Sequence, residues 1–360
     1  GAINTGVTKY TAEYHADEDA QHKVWRTAGT IAIAGSLLSA VIIVLLNERL
    51  ASWFLKDASY GGVFIWFAVT LVFFTFNTLL LAILNGKKEI VRYVVANISG
   101  SVFALVVTTL LAIKLGLYGA LIALAIYQSL SFFMTLLLCC KAPWFKPRYL
   151  LGGIDKAIAL NLGKYTAMAL ASAACMPLSH ILVRNHLGET LGWEAAGYWE
   201  AMWRLSVAYL MLVTTTLSVY YLPRLSEIKV TAHIKAEIIQ GYKIILPIAA
   251  ASGLVIYLFR DYIISVLFTA QFSPMRELFA WQMVGDTLKI GSWILGYVLI
   301  ARAFFQFVIF TEIFFSVFFV ILVNVFERNY GLEGVSIAHS VNYFFHLLFI
   351  FFYLRLKRII

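Results

Sequence analysis

The chain has 360 residues, 61% of them hydrophobic and 13% charged, and a formal net charge of +9. An ordinary soluble domain carries about 25% charged residues, so this composition excludes a soluble globular protein and points to a polytopic membrane protein. The basic excess calls for no nucleic acid, because membrane topology and anionic headgroups account for it.

Taken in order, the chain opens on GAINTGVTKY, with neither an initiator Met nor a signal peptide. Ten apolar stretches long enough to cross a bilayer follow, at roughly 24–46, 60–84, 93–113, 118–139, 160–184, 195–222, 240–259, 278–301, 304–326 and 335–354. Their connections alternate in charge. Lys9, Lys23, Arg26, Lys87, Lys88, Arg92, Lys141, Lys146, Arg148 and Lys156 fall on one side, joined by Arg224, Lys229, Lys235, Lys243, Arg302, Arg355, Lys357 and Arg358. The other side has Arg49, Lys56, Lys114, Arg184, Arg260, Arg276 and Arg328. The richer side is expected to be cytoplasmic, with both ends of the chain on it. Cys139, Cys140 and Cys175 have no metal-ligand spacing, so neither a metal nor a cofactor is expected.

Charged and titratable residues inside spans are the informative ones, since such groups are costly in hydrocarbon and mark pathways by default. Lys164 lies near the basic-rich end of the fifth span, where snorkelling to headgroups is its alternative reading. Arg204 lies in the sixth, with Glu200 four residues earlier on the same face, so a pair within one helix is the alternative there. His180 is toward the far end of the fifth span. Trp193, Trp199 and Trp203 cluster near the start of the sixth, as an interfacial aromatic belt would. Pro177 and Pro247 are expected to bend their helices. The eighth span carries Asp286 and Lys289 three residues apart, with Gln282 and Trp293 extending their face. That face has to look into protein or a watery cavity, as a substrate path or as a self-neutralising ion pair. Glu312 in the ninth span and His346 in the tenth are candidates for proton coupling, against structural roles for each.

An internal repeat organises these spans. Ile98–Ala123 lies without a gap over Ile313–Ala338, an offset of 215 residues (313 − 98), with nine of 26 positions identical, among them Gly116/Gly331, Leu117/Leu332 and Gly119/Gly334. The offset maps the first four spans onto the last four in the same orientation, which predicts two lobes related by an axis along the membrane normal. The fifth and sixth spans have no partner, so two spans are expected to precede Gly1, giving six plus six. The expected organisation is all-α: a truncated N-terminal lobe with linker over 1–150, and a six-span C-terminal lobe over 151–360. The linker is 141–156, with Pro143, Pro147 and Gly152-Gly153.

FAWQMVGDTLKIGSWILGYVLIARA (279–303), GVTKY (6–10) and SVYYLPRLS (218–226) resemble the Wzx polysaccharide-lipid flippases, and most closely the branch serving enterobacterial common antigen. These belong to the multidrug/oligosaccharidyl-lipid/polysaccharide exporter superfamily. The resemblance implies two six-helix lobes around a central cavity and a substrate of undecaprenyl diphosphate bearing an oligosaccharide, an antigen repeat unit. Transport would run from the cytoplasmic to the periplasmic leaflet of a bacterial inner membrane. Membrane lipids are further partners, as are a polymerase and a chain-length regulator of the same pathway. On this reading Arg204, Lys289 and Lys164 are the expected diphosphate ligands, since anions buried without compensation are very costly. Asp286 and Glu200 are the expected ion-pair or gating partners, and Glu312 and His346 the proton carriers. The competing functions are a multidrug or cation antiporter of the same superfamily, which wants an acid-dominated cavity, and a membrane polymerase or glycosyltransferase, which usually wants a long catalytic loop. Three intramembrane cations and short loops disfavour both.

Overall fold

A computed structural model describes residues 3–55 and 57–360; Gly1, Ala2 and Lys56, the last counted above among the basic residues, lie outside the described residues. All regular structure among these residues is helical. The helices are α1 (Asn4–Glu13), α2 (Glu18–Leu45), α3 (Asn47–Phe54), α4 (Gly61–Gly86), α5 (Ile90–Cys140), α6 (Lys156–Thr190) and α7 (Trp193–Thr216). A π-helical turn, Leu217–Tyr221, leads into α8 (Leu222–Glu227), followed by α9 (Thr231–Leu258), α10 (Arg260–Leu267), α11 (Phe279–Ala301), α12 (Phe305–Tyr330) and α13 (Glu333–Leu356). Nine helical segments are long and apolar enough to cross a membrane. One of them, α5, breaks at Gly116 (φ 58, ψ −140) into arms over 90–115 and 117–140, so ten spans result.

Two compact units form, Gly1–Thr166 and Ala167–Ile360. The division falls inside α6, beyond the loop that the sequence marks as linker, because the first part of that helix packs on α1. A Cβ on Gly6 would lie 3.0 Å from Leu162 and 3.1 Å from Tyr165. In the first unit α4 is the central helix, burying Leu79, Leu80, Ile83 and Leu84. Polar pairs fix its neighbours: Ser36 of α2 donates to Thr75, Thr135 of α5 to Asn77, and Thr8 of α1 to the Ala82 carbonyl. In the second unit α11 takes the central place, with well over half of its apolar window buried.

The repeat is written into the backbone. Gly331 (φ 58, ψ −138) reproduces Gly116 at the offset of 215 (331 − 116), where α12 turns into α13. Lys88 (φ 59) and Ala303 (φ 57) form a second matched pair, each at the tight turn after the central helix. Gly119 and Gly334 form a third, since a Cβ would come within 2.1 Å of the Leu111 carbonyl oxygen and 2.3 Å of Phe326's. The offset also lays α12 over the first arm of α5, and α10 over α3. These short helices α3 and α10 are elements that the span pattern leaves as loops.

Gly331 therefore gives a local test. No other residue occupies the space around it, so the cost of a side chain there is backbone strain, of the order of 1–3 kcal/mol. Gly331→Ala is expected to lower the melting temperature in detergent, while Gly296→Ala, in mid-helix with open space around it, is expected to raise it slightly. Equal effects would contradict the turn assignment.

Candidate functional site

The second unit encloses a polar site deep among apolar helices. It begins with Asp286, which is completely buried on α11. Tyr209 of α7 donates its hydroxyl to Oδ2 at 2.8 Å, and Gln282, one turn away, donates to Oδ1 at 3.3 Å. His339 of α13 brings Nε2 to 3.0 Å from Oδ1. A carboxylate can only accept, so this nitrogen carries the proton. The approach of His339 depends on Gly285. A Cβ there would fall 2.3 Å from the imidazole Cδ2 and 3.1 Å from the backbone of Ser340. Gln282 also donates to Ser206 at 3.2 Å, tying α7 to α11 a second time.

Lys289 is only 4% exposed. Its ammonium lies 4.6 Å from the ring centre of Trp203, 4.9 Å from Trp293 and 5.6 Å from Tyr343. Among the described residues no carboxylate lies within ion-pair distance of it. The sequence expectation that Asp286 and Lys289 form a direct pair is thus corrected: they share a helix face, but the side chain in contact with Asp286 Oδ1 from α13 is His339. The physical reason is donor supply. Tyr209, Gln282 and His339 already satisfy the carboxylate, and the aromatic faces offer the ammonium electrostatic contact at a distance hydroxyls do not reach.

Trp203, Trp293, Tyr343 and His339 also line a cavity of about 90 Å³, together with Ser179, His180, Thr311, Glu312, Asn342 and His346. Two of the expected titratable residues, Glu312 and His346, thus face the same space from α12 and α13. Ser172 is the hydrogen-bond neighbour of the Glu312 carboxylate. His346 Nδ1 meets the Ser292 hydroxyl at 2.5 Å. His180 stacks edgewise on Trp203 with ring centres 4.0 Å apart. Asn342 is buried, and its Oδ1 has no hydrogen-bond partner.

The remaining expected residues lie elsewhere. The Arg204 side chain is 78% exposed and bonds Glu200 at 2.9 Å on its own helix. Lys164 belongs to the first unit and donates to Asn161 one turn earlier at 3.0 Å. Neither lines the cavity. The three tryptophans do not form a belt: Trp193 is exposed, Trp199 is buried in the core and Trp203 faces the cavity. The residues that sequence reasoning missed are Tyr209, His339 and Asn342. The signal for the last two was present, because His339, Asn342 and His346 follow the three-and-four spacing of one helix face.

Comparison with known proteins places this site in context. The sequence model of a family described as "Polysaccharide biosynthesis protein" matches residues 5–277. The lipid III flippase of Escherichia coli K12 is 31% identical over 342 residues, which is 95% of this chain and 82% of that protein. The lipid III flippase of Shigella flexneri matches to the same extent. Among solved structures, an outward-facing multidrug resistance MATE family transporter of the MOP superfamily superposes with a TM-score of 0.80 at 18% identity, covering 99% of this chain and 83% of that one. A MOP superfamily transporter from Pyrococcus furiosus gives 0.77 at 15% identity, over 98% and 84%. At those identities the structural likeness establishes the fold.

Proposed function

This chain belongs to the polysaccharide biosynthesis protein family, and from that premise we propose that it is a flippase for a lipid-linked oligosaccharide. It carries an isoprenoid diphosphate sugar unit, such as lipid III or an O-antigen unit, across a bacterial inner membrane from the cytoplasmic to the periplasmic leaflet. The basic-rich side, with both ends of this chain, is then cytoplasmic. A polymerase and a chain-length regulator would act on the delivered unit.

The single observation that carries this reading is Lys289: a cation at membrane depth with aromatic rings around it and, among the described residues, no carboxylate in direct ion-pair contact. A buried charge whose nearest carboxylate, Asp286, is engaged by Tyr209, Gln282 and His339 suits a negatively charged passenger. The π faces hold the ammonium in the empty state, and the diphosphate replaces them when the wall of Trp203, Trp293 and Tyr343 parts. The same cation disfavours a cationic drug as cargo. Arg204 and Lys164, outside this cavity, are assigned earlier contacts with the diphosphate, with Glu200 holding Arg204 in place. The test is reconstitution in vesicles with a short-chain lipid-linked oligosaccharide, read by capture of the arriving sugar with an external lectin. A rate equal to that of protein-free vesicles would refute the reading.

We assign Glu312 and His346 to proton coupling. One charge moved across 100 mV supplies about 2.3 kcal/mol. In energised vesicles, collapsing the proton gradient is expected to slow transport, and Glu312→Gln is expected to make the rate insensitive to it. An unchanged wild-type rate after collapse would remove Glu312 and His346 from the mechanism while leaving the flippase reading in place.

A further inference from the structure

We propose that the groove between α9 and α13 binds one anionic glycerophospholipid, its phosphate at Lys235 and Arg355 and an acyl chain along the apolar walls; the inference rests on the fold and is independent of what the protein carries. Both helices pack on α11, and the space between them has a volume of about 760 Å³, within the range of about 300–1,000 Å³ that ligand sites occupy. Leu295 of α11 lies in this space, with Ile238 and Tyr242 of α9 and Leu347 of α13 as walls. The Tyr242 hydroxyl is already used, donating to the Gly291 carbonyl at 2.6 Å. That bond pins α9 to α11 and leaves the ring as an apolar surface. Apart from Tyr242, the polar side chains of the lining are Lys235 and Arg355.

Opposite chain directions put those two cations at one end of the groove. Lys235 is near the start of α9 and Arg355 in the last turn of α13. Tyr242 and Leu347 lie seven and eight residues further in (242 − 235, 355 − 347), about 10–12 Å at 1.5 Å per residue. A charged mouth thus opens onto an apolar shaft, which is the division of a phospholipid into headgroup and chain. Both cations are exposed, and among the described residues no carboxylate lies within ion-pair distance of either. Glu237, the one acid of α9, is engaged by Arg224 at 3.3 Å. The mouth therefore offers positive charge that a phosphodiester can neutralise, as cations near a membrane surface do for anionic lipids. A zwitterionic headgroup would bring its own ammonium against Lys235 and Arg355, which disfavours it. A free phosphate would leave the shaft unused. Lys243 lines a separate groove with Ala236, Gln240 and Ile244, so it is a cation of the same helix outside this site.

Native mass spectrometry of the protein in a neutral detergent counts bound lipid in titrations with phosphatidylglycerol and, separately, phosphatidylcholine of the same chains. The first phosphatidylglycerol is expected to bind about tenfold tighter, a few-fold from each cation. Lys235→Gln with Arg355→Gln is expected to bring the two lipids level. Because both side chains are exposed, the melting temperature without added lipid should not move. Lys146→Gln with Lys243→Gln, which removes the same charge outside the groove, is expected to keep the tenfold preference. Ile239→Trp, which narrows the shaft and leaves the mouth intact, is expected to weaken both lipids together. Equal wild-type affinities would overturn the proposal, and so would a preference lost equally in the charge-matched control, since a diffuse basic rim would then explain it. Displacement of phosphatidylglycerol by glycerol phosphate at equal concentration would show a headgroup site with no chain in the groove. Displacement by farnesyl diphosphate at a tenth of that concentration would give the groove to an isoprenoid diphosphate. Either result would also overturn the proposal, and the flippase reading stands or falls separately from all of them.

Discussion

Lys289→Met is expected to lose export of the lipid-linked unit by about 10²–10³-fold while the protein reaches its normal level in the membrane. The size follows from the charge, since two unit charges 4 Å apart at an effective dielectric near 20 interact by about 4 kcal/mol, and 1.36 kcal/mol is about tenfold in rate. The separation of function from folding follows from the site. Were Asp286 paired with Lys289, removing the ammonium would strand a buried carboxylate, at about 3–5 kcal/mol. Instead Tyr209, Gln282 and His339 hold Asp286, so the loss is the cation–π contact, about 0.5–2 kcal/mol, and a longer-range attraction to Asp286, offset by no longer burying a charge. Methionine refills the aromatic box with a flexible apolar chain of similar length. Lys289→Arg keeps the charge but places a wide plane where a compact ammonium fits, so partial export is expected. The measurement is surface glycan in cells lacking their own flippase, alongside membrane abundance of each variant. Normal glycan from Lys289→Met would end the role of Lys289 as the passenger's counter-ion.

The fold was far more legible in the sequence than the site, for a physical reason. Span length and apolarity are local, so the ten spans are readable from hydropathy, and Gly116/Gly331 and Gly119/Gly334 already stand at one offset. What the offset could not reveal is why those glycines matter: one pair turns the chain at positive φ, and the other lets a carbonyl approach where a Cβ would collide. The site is non-local. Asp286 and Lys289 have spacing that permits a pair, but partner choice is decided by α7 and α13. Tyr209 lies 77 residues from Asp286 in sequence, and His339 lies 53. Helix periodicity states which face a residue occupies, and only packing states what that face meets. Arg204 shows the same limit from the other side: its depth in the sixth span was readable, its exposure and its bond to Glu200 in preference to a cavity were not.

The largest stability effect is expected at the Asp286–His339 pair. Asp286→Ala leaves the Tyr209 and His339 donors without their acceptor inside the unit, and His339→Ala leaves the buried carboxylate short of one donor, so each should cost about 2–3 kcal/mol. The double variant should cost much less than the sum, with a coupling energy of about 2–3 kcal/mol, because the two substitutions remove one shared interaction. The corresponding cycle between Asp286 and Lys289 should give a smaller coupling, since longer-range attraction but no direct contact joins them. Asp286→Asn is expected to be mild: its Oδ1 can accept from His339 and Gln282 while its amide donates to the Tyr209 hydroxyl, which can reverse. Gly285→Ala provides an independent route to the same loss, because the added methyl occupies the space of the imidazole and presses on the Ser340 backbone. It should destabilise wild type strongly but add little to His339→Ala, where the ring is already gone. Melting temperatures in detergent with unfolding enthalpies supply all of these values. A coupling between Asp286 and Lys289 as large as that between Asp286 and His339 would mean that the lysine has its counter-ion within the protein, and the reason for an anionic passenger would go with it.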